Sequence, residues 1–265
     1  MRCRALLALA TLFAGVLLAQ GNEPTAAGRA LIVCDERVQM EALAKFLRNE
    51  GKLEIEIVDQ DSFSTATAGC RAIIDFVHKP FSERVERALM DFAENGGRVI
   101  SIHHSISSSK RQNKYWLGFC GMVLPTSRRE QGGWHVVGNT TAVLVNLRPG
   151  HYITSHNVKY AKTTTYASSD ILKAERILPA LDFPLSEVFL GQQITDMRQK
   201  EMLFGLKCFD PKTSETIMVD RGGWYQRKGR GWHFYFQVGH ATSDFQNPAH
   251  CQILLNAVTW QPPKE

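Results

Sequence analysis

Five apolar residues in succession, Ala30 to Cys34, have no polar face, the pattern of a strand covered on both sides. Apolar positions then recur at helical spacing (Val38, Leu43, Phe46-Leu47) up to Asn49-Glu50-Gly51, which predicts a helix ending on a glycine cap. Leu53, Ile55 and Ile57 alternate with Glu54 and Glu56, as in a half-exposed strand near a sheet edge. Arg71 to Val77 reads as a further strand, Lys79-Pro80 opens a helix that reaches Asn95-Gly96-Gly97, and Arg98 to His103 returns as a strand. This alternation implies βαβ crossovers and a mainly parallel sheet flanked by helices.

The pattern changes after Cys120. Thr141 to Val145, Met202 to Cys208 and Thr216 to Val219 read as strands between Thr-, Ser-, Pro- and Gly-rich connections, and imply antiparallel additions to the same α/β unit. Trp232 to Val238 is an aromatic strand that runs into Gly239-His240, and Pro248 to Trp260 closes the chain as a helix. Neither a repeat nor a linker divides the sequence, so 29–262 is expected to form one domain.

Composition narrows the class. Arg2 and Arg4 precede an uncharged apolar run, Ala5 to Ala19, and Ala19-Gln20-Gly21 offers small residues for cleavage, so 1–21 reads as a signal peptide. The run is short of the ~20 residues a membrane span needs, so a secreted or periplasmic protein without a membrane anchor is expected. Five cysteines follow the leader (Cys34, Cys70, Cys120, Cys208, Cys251), widely spaced and without a CxxC pair. They allow two disulfides at most and argue against a cysteine-bound zinc; small buried side chains are the expected role. The net charge of +5 is scattered, with short clusters at Arg128-Arg129 and Arg227-Lys228-Arg230, and no nucleic-acid motif accompanies it.

Four strings, in order, resemble the ThuA-like (trehalose-utilisation) branch of the class I glutamine amidotransferase-like superfamily: Gly96 to His103, His151-Tyr152-Ile153, Trp224 to Tyr235, and Gly239-His240 with Trp260. The resemblance covers nearly all of the mature chain. It implies a flavodoxin-like, class I glutamine amidotransferase-like fold, a small-molecule carbohydrate as ligand, and a parent fold that often dimerises. Where the family carries Asp-Glu-x-Tyr, this chain has Thr163-Thr164-Thr165-Tyr166. That departure implies, as an alternative, a non-catalytic binding or scaffold module.

The candidate chemistry is imidazole rather than thiol. No Gly-x-Cys-x-Gly string occurs, so a cysteine-dependent glutamine amidotransferase is excluded; Cys34, at a strand end, is expected to be buried and inert. His103 and His240 each follow an apolar strand directly, which in a parallel arrangement brings both to the carboxyl edge of the sheet. There they are the candidate catalytic pair, as acid and base or as hydrogen-bonding groups. His104, His151, Trp134, Trp224 and Tyr166 are candidate substrate contacts; Trp134 and Trp224 follow Gly-Gly pairs that suggest loops presenting flat faces to a sugar. No cofactor is predicted. A divalent metal held by several histidines and a carboxylate such as Asp244 is the sharper option, with a metal-assisted hydrolase as the corresponding second alternative.

Overall fold

The computed structural model describes residues 28–64, 67–167 and 174–263. The signal-peptide expectation for 1–21 lies outside the described residues. No helix among the described residues is long and apolar enough to cross a membrane.

The N-terminal half follows the predicted alternation: β1 (Arg29–Cys34), α1 (Arg37–Asn49), β2 (Glu54–Val58), β3 (Cys70–Phe76), α2 (Glu83–Glu94) and β4 (Arg98–Ile102). The rest comprises α3 (Trp116–Cys120), β5 (Met122–Val123), β6 (His135–Asn146), α4 (Tyr152–Ser155), β7 (Lys162–Tyr166), β8 (Arg176–Leu190), β9 (Gln193–Ile194), β10 (Lys200–Asp210), β11 (Glu215–Lys228), β12 (Gly231–Phe236) and α5 (Pro248–Thr259). Ten strands form one sheet in the order β2-β1-β3-β4-β12-β11-β10-β6-β8-β7, and β5 pairs with β9 apart from it. From β2 to β12 every pairing is parallel; from β12 to β7 every pairing is antiparallel. The antiparallel additions therefore extend the α/β core by a further half sheet.

Burial explains this layout. The residues of β1 after Arg29 are buried on both faces, whereas edge strand β2 alternates exposed glutamates with Ile55 and Ile57. α1 covers one face of the sheet with Met40, Leu43, Ala44 and Leu47, packed with Ile253 and Leu254 of α5. α2 covers the other face with Val85, Leu89 and Ala93. Two covered faces are the condition under which parallel strands are stable.

One local expectation is corrected. Gly51 is not the left-handed cap of α1; Lys52 takes the positive φ, at 52°. A Cβ at Gly51 would lie 2.5 Å from Leu255 Cδ1, so close approach of α5 accounts for the glycine.

Candidate functional site

β4 and β12 are adjacent and parallel, with Phe236 paired to Ile102, so their carboxyl ends lie side by side. His103 leaves β4 at φ +47°, a left-handed conformation that costs a residue with a Cβ of order 1 kcal/mol or more. The surrounding bonds hold it there. Its Nδ1 lies 2.6 Å from the Gln237 carbonyl, and its own carbonyl accepts the Tyr235 hydroxyl at 3.1 Å. Because the Gln237 carbonyl can only accept, Nδ1 carries the proton and Nε2 presents a lone pair.

The chain after β12 turns at Gly239, φ +120°, where a Cβ would meet Ile102 Cγ2 at 2.8 Å and Phe245 Cζ at 2.9 Å. That turn sets His240 against His103, with Nδ1 3.2 Å from its Nε2. Asp244 accepts the backbone N–H groups of His240 and Ala241 at 2.8 and 3.1 Å. It is therefore a turn-holding residue, and the carboxylate of the cluster is another one.

That carboxylate is Glu187 of β8. Its Oε2 lies 3.7 Å from His103 Nε2, 3.6 Å from His104 Nε2 and 3.7 Å from His240 Nδ1. β8 reaches the site because it bends. Its register with β6 shifts around Thr140, and Leu185 adopts φ +52°. The side chain of Gln237 pins the end of the bend, accepting from Phe189 N at 2.7 Å and donating to the Arg221 carbonyl at 3.1 Å. Phe189 in turn lies against the His103 ring, centroids 4.5 Å apart.

The electrostatics follow from depth. His103 is fully buried, and desolvation pushes its pKa down to about 4, so it is neutral at pH 7. Glu187 is about one-third exposed, and His103, followed by His104, holds its carboxyl well below the usual carboxylate range. A neutral imidazole and an ionised carboxylate thus share one centre.

A cleft of about 310 Å³ opens over this centre, lined by Glu36, His78, Ser109, Trp134, Phe189 and His240 among others. Trp134 stands at its wall, 5.6 Å from Phe189 between ring centroids, and His78 stacks on His104 at 4.0 Å. A larger groove of about 610 Å³ runs between α1, β8 and α5, past Phe46, Leu181 and Ala249, but none of its lining residues is a histidine.

Of the expected site residues, His103, His104, His240 and Trp134 meet here. Three stand elsewhere. His151 caps α4 and packs with Tyr225 and with Trp260, whose carbonyl accepts from Arg98 at the amino end of β4. Trp224 is sealed in the core under Lys200 and against His233. Its Gly222-Gly223 pair belongs to β11 rather than to a loop, since a Cβ at Gly222 would lie 2.7 Å from the Gly205 carbonyl oxygen. Tyr166 is buried over Gly205 and donates to Asp220 at 2.8 Å. Cys34 is buried and its thiol is pushed up to about 11 by desolvation, as an inert thiol should be. The described cysteines are all free.

Glu187 is the residue that sequence reasoning missed. Its signal was a lone carboxylate directly before Val188-Phe189-Leu190, a run otherwise apolar. Pro179 and Pro184 argued against reading a strand there at all.

A family model described as trehalose utilisation, ThuA, matches residues 33–261. A ThuA-like protein from Bacteroides uniformis superposes with a TM-score of 0.56 at 17% identity, covering 91% of this chain and 94% of that one. A β-galactosidase from Rahnella sp. R3 superposes at 0.51 and 10% identity, over 86% of this chain but 30% of that enzyme. A glutamine amidotransferase from Thermotoga maritima is matched at 0.41 and 7% identity, over 80% and 75% of the two chains. No curated protein sequence matches.

Proposed function

The chain belongs to the ThuA family, which ties it to carbohydrate metabolism, and from that premise we propose that it binds or processes a sugar or keto-sugar at the carboxyl ends of β4 and β12. The observation that carries this reading is the meeting of three imidazoles and one carboxylate at a single point below a cleft with an aromatic wall. A cleft of about 310 Å³ matches the small end of ligand-pocket sizes. Trp134 offers a flat face to the C–H side of a sugar ring, while His240 and Glu187 reach its hydroxyls. For chemistry, the His240 imidazole, which lines the cleft, can take a proton from a hydroxyl or from a carbon beside a sugar carbonyl, and the Glu187 carboxylate stabilises the imidazolium so formed. Export to the periplasm or medium, expected from 1–21, belongs to the same proposal.

The alternative of a non-catalytic module rested on the missing acidic pair before Tyr166. Thr163 and Thr164 lie on edge strand β7, five places from β12 in the sheet, so their identity takes no group out of the cleft. The processing reading is therefore the stronger one.

Thermal-shift measurements with trehalose, glucose and oxidised (keto) forms of each test the proposal. At least one of these is expected to raise the melting temperature of the wild type by mass action. Glu187→Gln and Trp134→Ala should abolish that shift, and His151→Ala should retain it. A shift that survives in Glu187→Gln and Trp134→Ala would place the ligand elsewhere.

A further inference from the structure

We propose that His103, His104, Glu187 and His240 form a binding site for a divalent transition-metal ion, with zinc the best fit. The site goes beyond the sugar reading and stands without it.

The donor atoms come first. One ligand atom from each residue lies within 4.8 Å of all the others. Three imidazole nitrogens converge on the same oxygen, Glu187 Oε2, at 3.6–3.7 Å. Those distances exceed the ~2.7–3.2 Å of an ordinary hydrogen bond, so the imidazoles are gathered around that oxygen at longer range. The His240–His103 contact, at 3.2 Å, is the exception. Zinc bonds of about 2.0–2.1 Å to nitrogen and oxygen put neighbouring ligand atoms of a tetrahedron about 3.4 Å apart. The separations of 3.2–3.7 Å bracket that edge length, as those of ligands around an ion would.

Support around the donors agrees. His103 donates Nδ1–H to the Gln237 carbonyl, which fixes its tautomer and aims Nε2 into the cluster, the usual outer partner of a metal-bound histidine. The left-handed backbone at His103 is local strain held in place at a ligand-bearing strand end, and the glycine turn at Gly239 sets His240 beside it. Three imidazoles and one carboxylate are donors that suit zinc and, less selectively, other first-row divalent ions. His103 and His104 are buried, whereas Glu187 and His240 are each about one-third exposed and line the cleft. With four protein ligands filling a tetrahedron, an ion there would polarise a carbonyl or hydroxyl oxygen of a bound ligand only by accepting it as a fifth ligand on the cleft side.

The test uses the full chain, stripped with EDTA, dialysed and titrated with Co²⁺ followed by its visible absorption, then with Zn²⁺ in competition. The expected result is about one equivalent bound, with Glu187→Gln and His240→Ala each weakening the affinity at least about tenfold while melting like the stripped wild type. His151→Ala should bind as the wild type does. Uptake below about a tenth of an equivalent, or unchanged affinity in both variants, overturns the metal site. Melting shifts with trehalose, glucose and their keto forms on stripped and loaded protein keep the two readings apart. A sugar shift without metal uptake overturns the ion alone, and metal uptake without any sugar shift overturns the sugar alone.

Discussion

Asp75 shows how much a single side chain contributes away from the cleft. It is fully buried on β3, accepts from the Ser101 hydroxyl at 2.8 Å, and lies near Lys110 and Ser105. Ser101 in turn touches His233 at 3.0 Å. Burial nevertheless raises the Asp75 carboxyl to about 6. The unfolded chain would release that proton near pH ~3.9. Between about pH 4 and 6 the folded state therefore holds a proton the unfolded state has lost, and stability falls as pH rises through that window. The loss amounts to about 3 kcal/mol by pH 7, from a shift of roughly two units. Asp75→Asn should melt above the wild type at pH 7, and the difference between the two should shrink toward pH 4 in urea titrations. A difference independent of pH would show that Asp75 is ionised throughout. Such a group is invisible in the sequence, where Asp75 is one acidic residue at the end of a strand. His103 and His240 are the opposite case. Each directly follows an apolar run, and strand direction alone brings both to one edge. Tyr166 was a candidate only through the resemblance at Thr163 to Tyr166, and Trp224 misled because an aromatic after a Gly-Gly pair fits a loop or a tight strand crossing equally well. Only the approach of Gly205 and Gly222 decides between them.

Among the elements, β8 decides whether the site exists. Its bend carries Glu187 from the antiparallel half of the sheet to the carboxyl ends of the parallel half, and Gln237 fastens the far end of that bend through Phe189 N and the Arg221 carbonyl. Gln237→Ala takes the partner from the buried Phe189 N–H, a cost of about 1–3 kcal/mol, and removes the donor to the part-buried Arg221 carbonyl. Its expected effect is twofold: a lower midpoint in urea unfolding, and loss of the melting shift given by whichever of the tested sugars stabilises the wild type. Retention of that shift in a destabilised Gln237→Ala protein would separate β8 from the site. The parallel strands were legible because burial on both faces imposes continuous apolar runs. β8 was not, since Pro179, Pro184 and exposed Ile177 and Leu185 break both the apolar run and the alternation. Its pairing depends on β6 and β7, which the local sequence does not encode.

At the scale of the whole molecule, the topology makes one cleft from distant segments: residues 103–104, 187 and 240, joined by parallel pairing of β4 with β12 and by the return of β8. The ThuA family membership ties the chain to carbohydrate metabolism, the proposal puts the sugar in this cleft, and the larger groove between α1, β8 and α5 is the rival place for it. Crystals of the full chain soaked in trehalose, or in its keto form, decide between them. Difference density for a sugar should lie between Trp134 and the imidazoles, with hydroxyls within hydrogen-bond reach of Glu187 and His240. A sugar bound between Phe46 and Leu181, with the imidazole cleft free of it, would contradict the account.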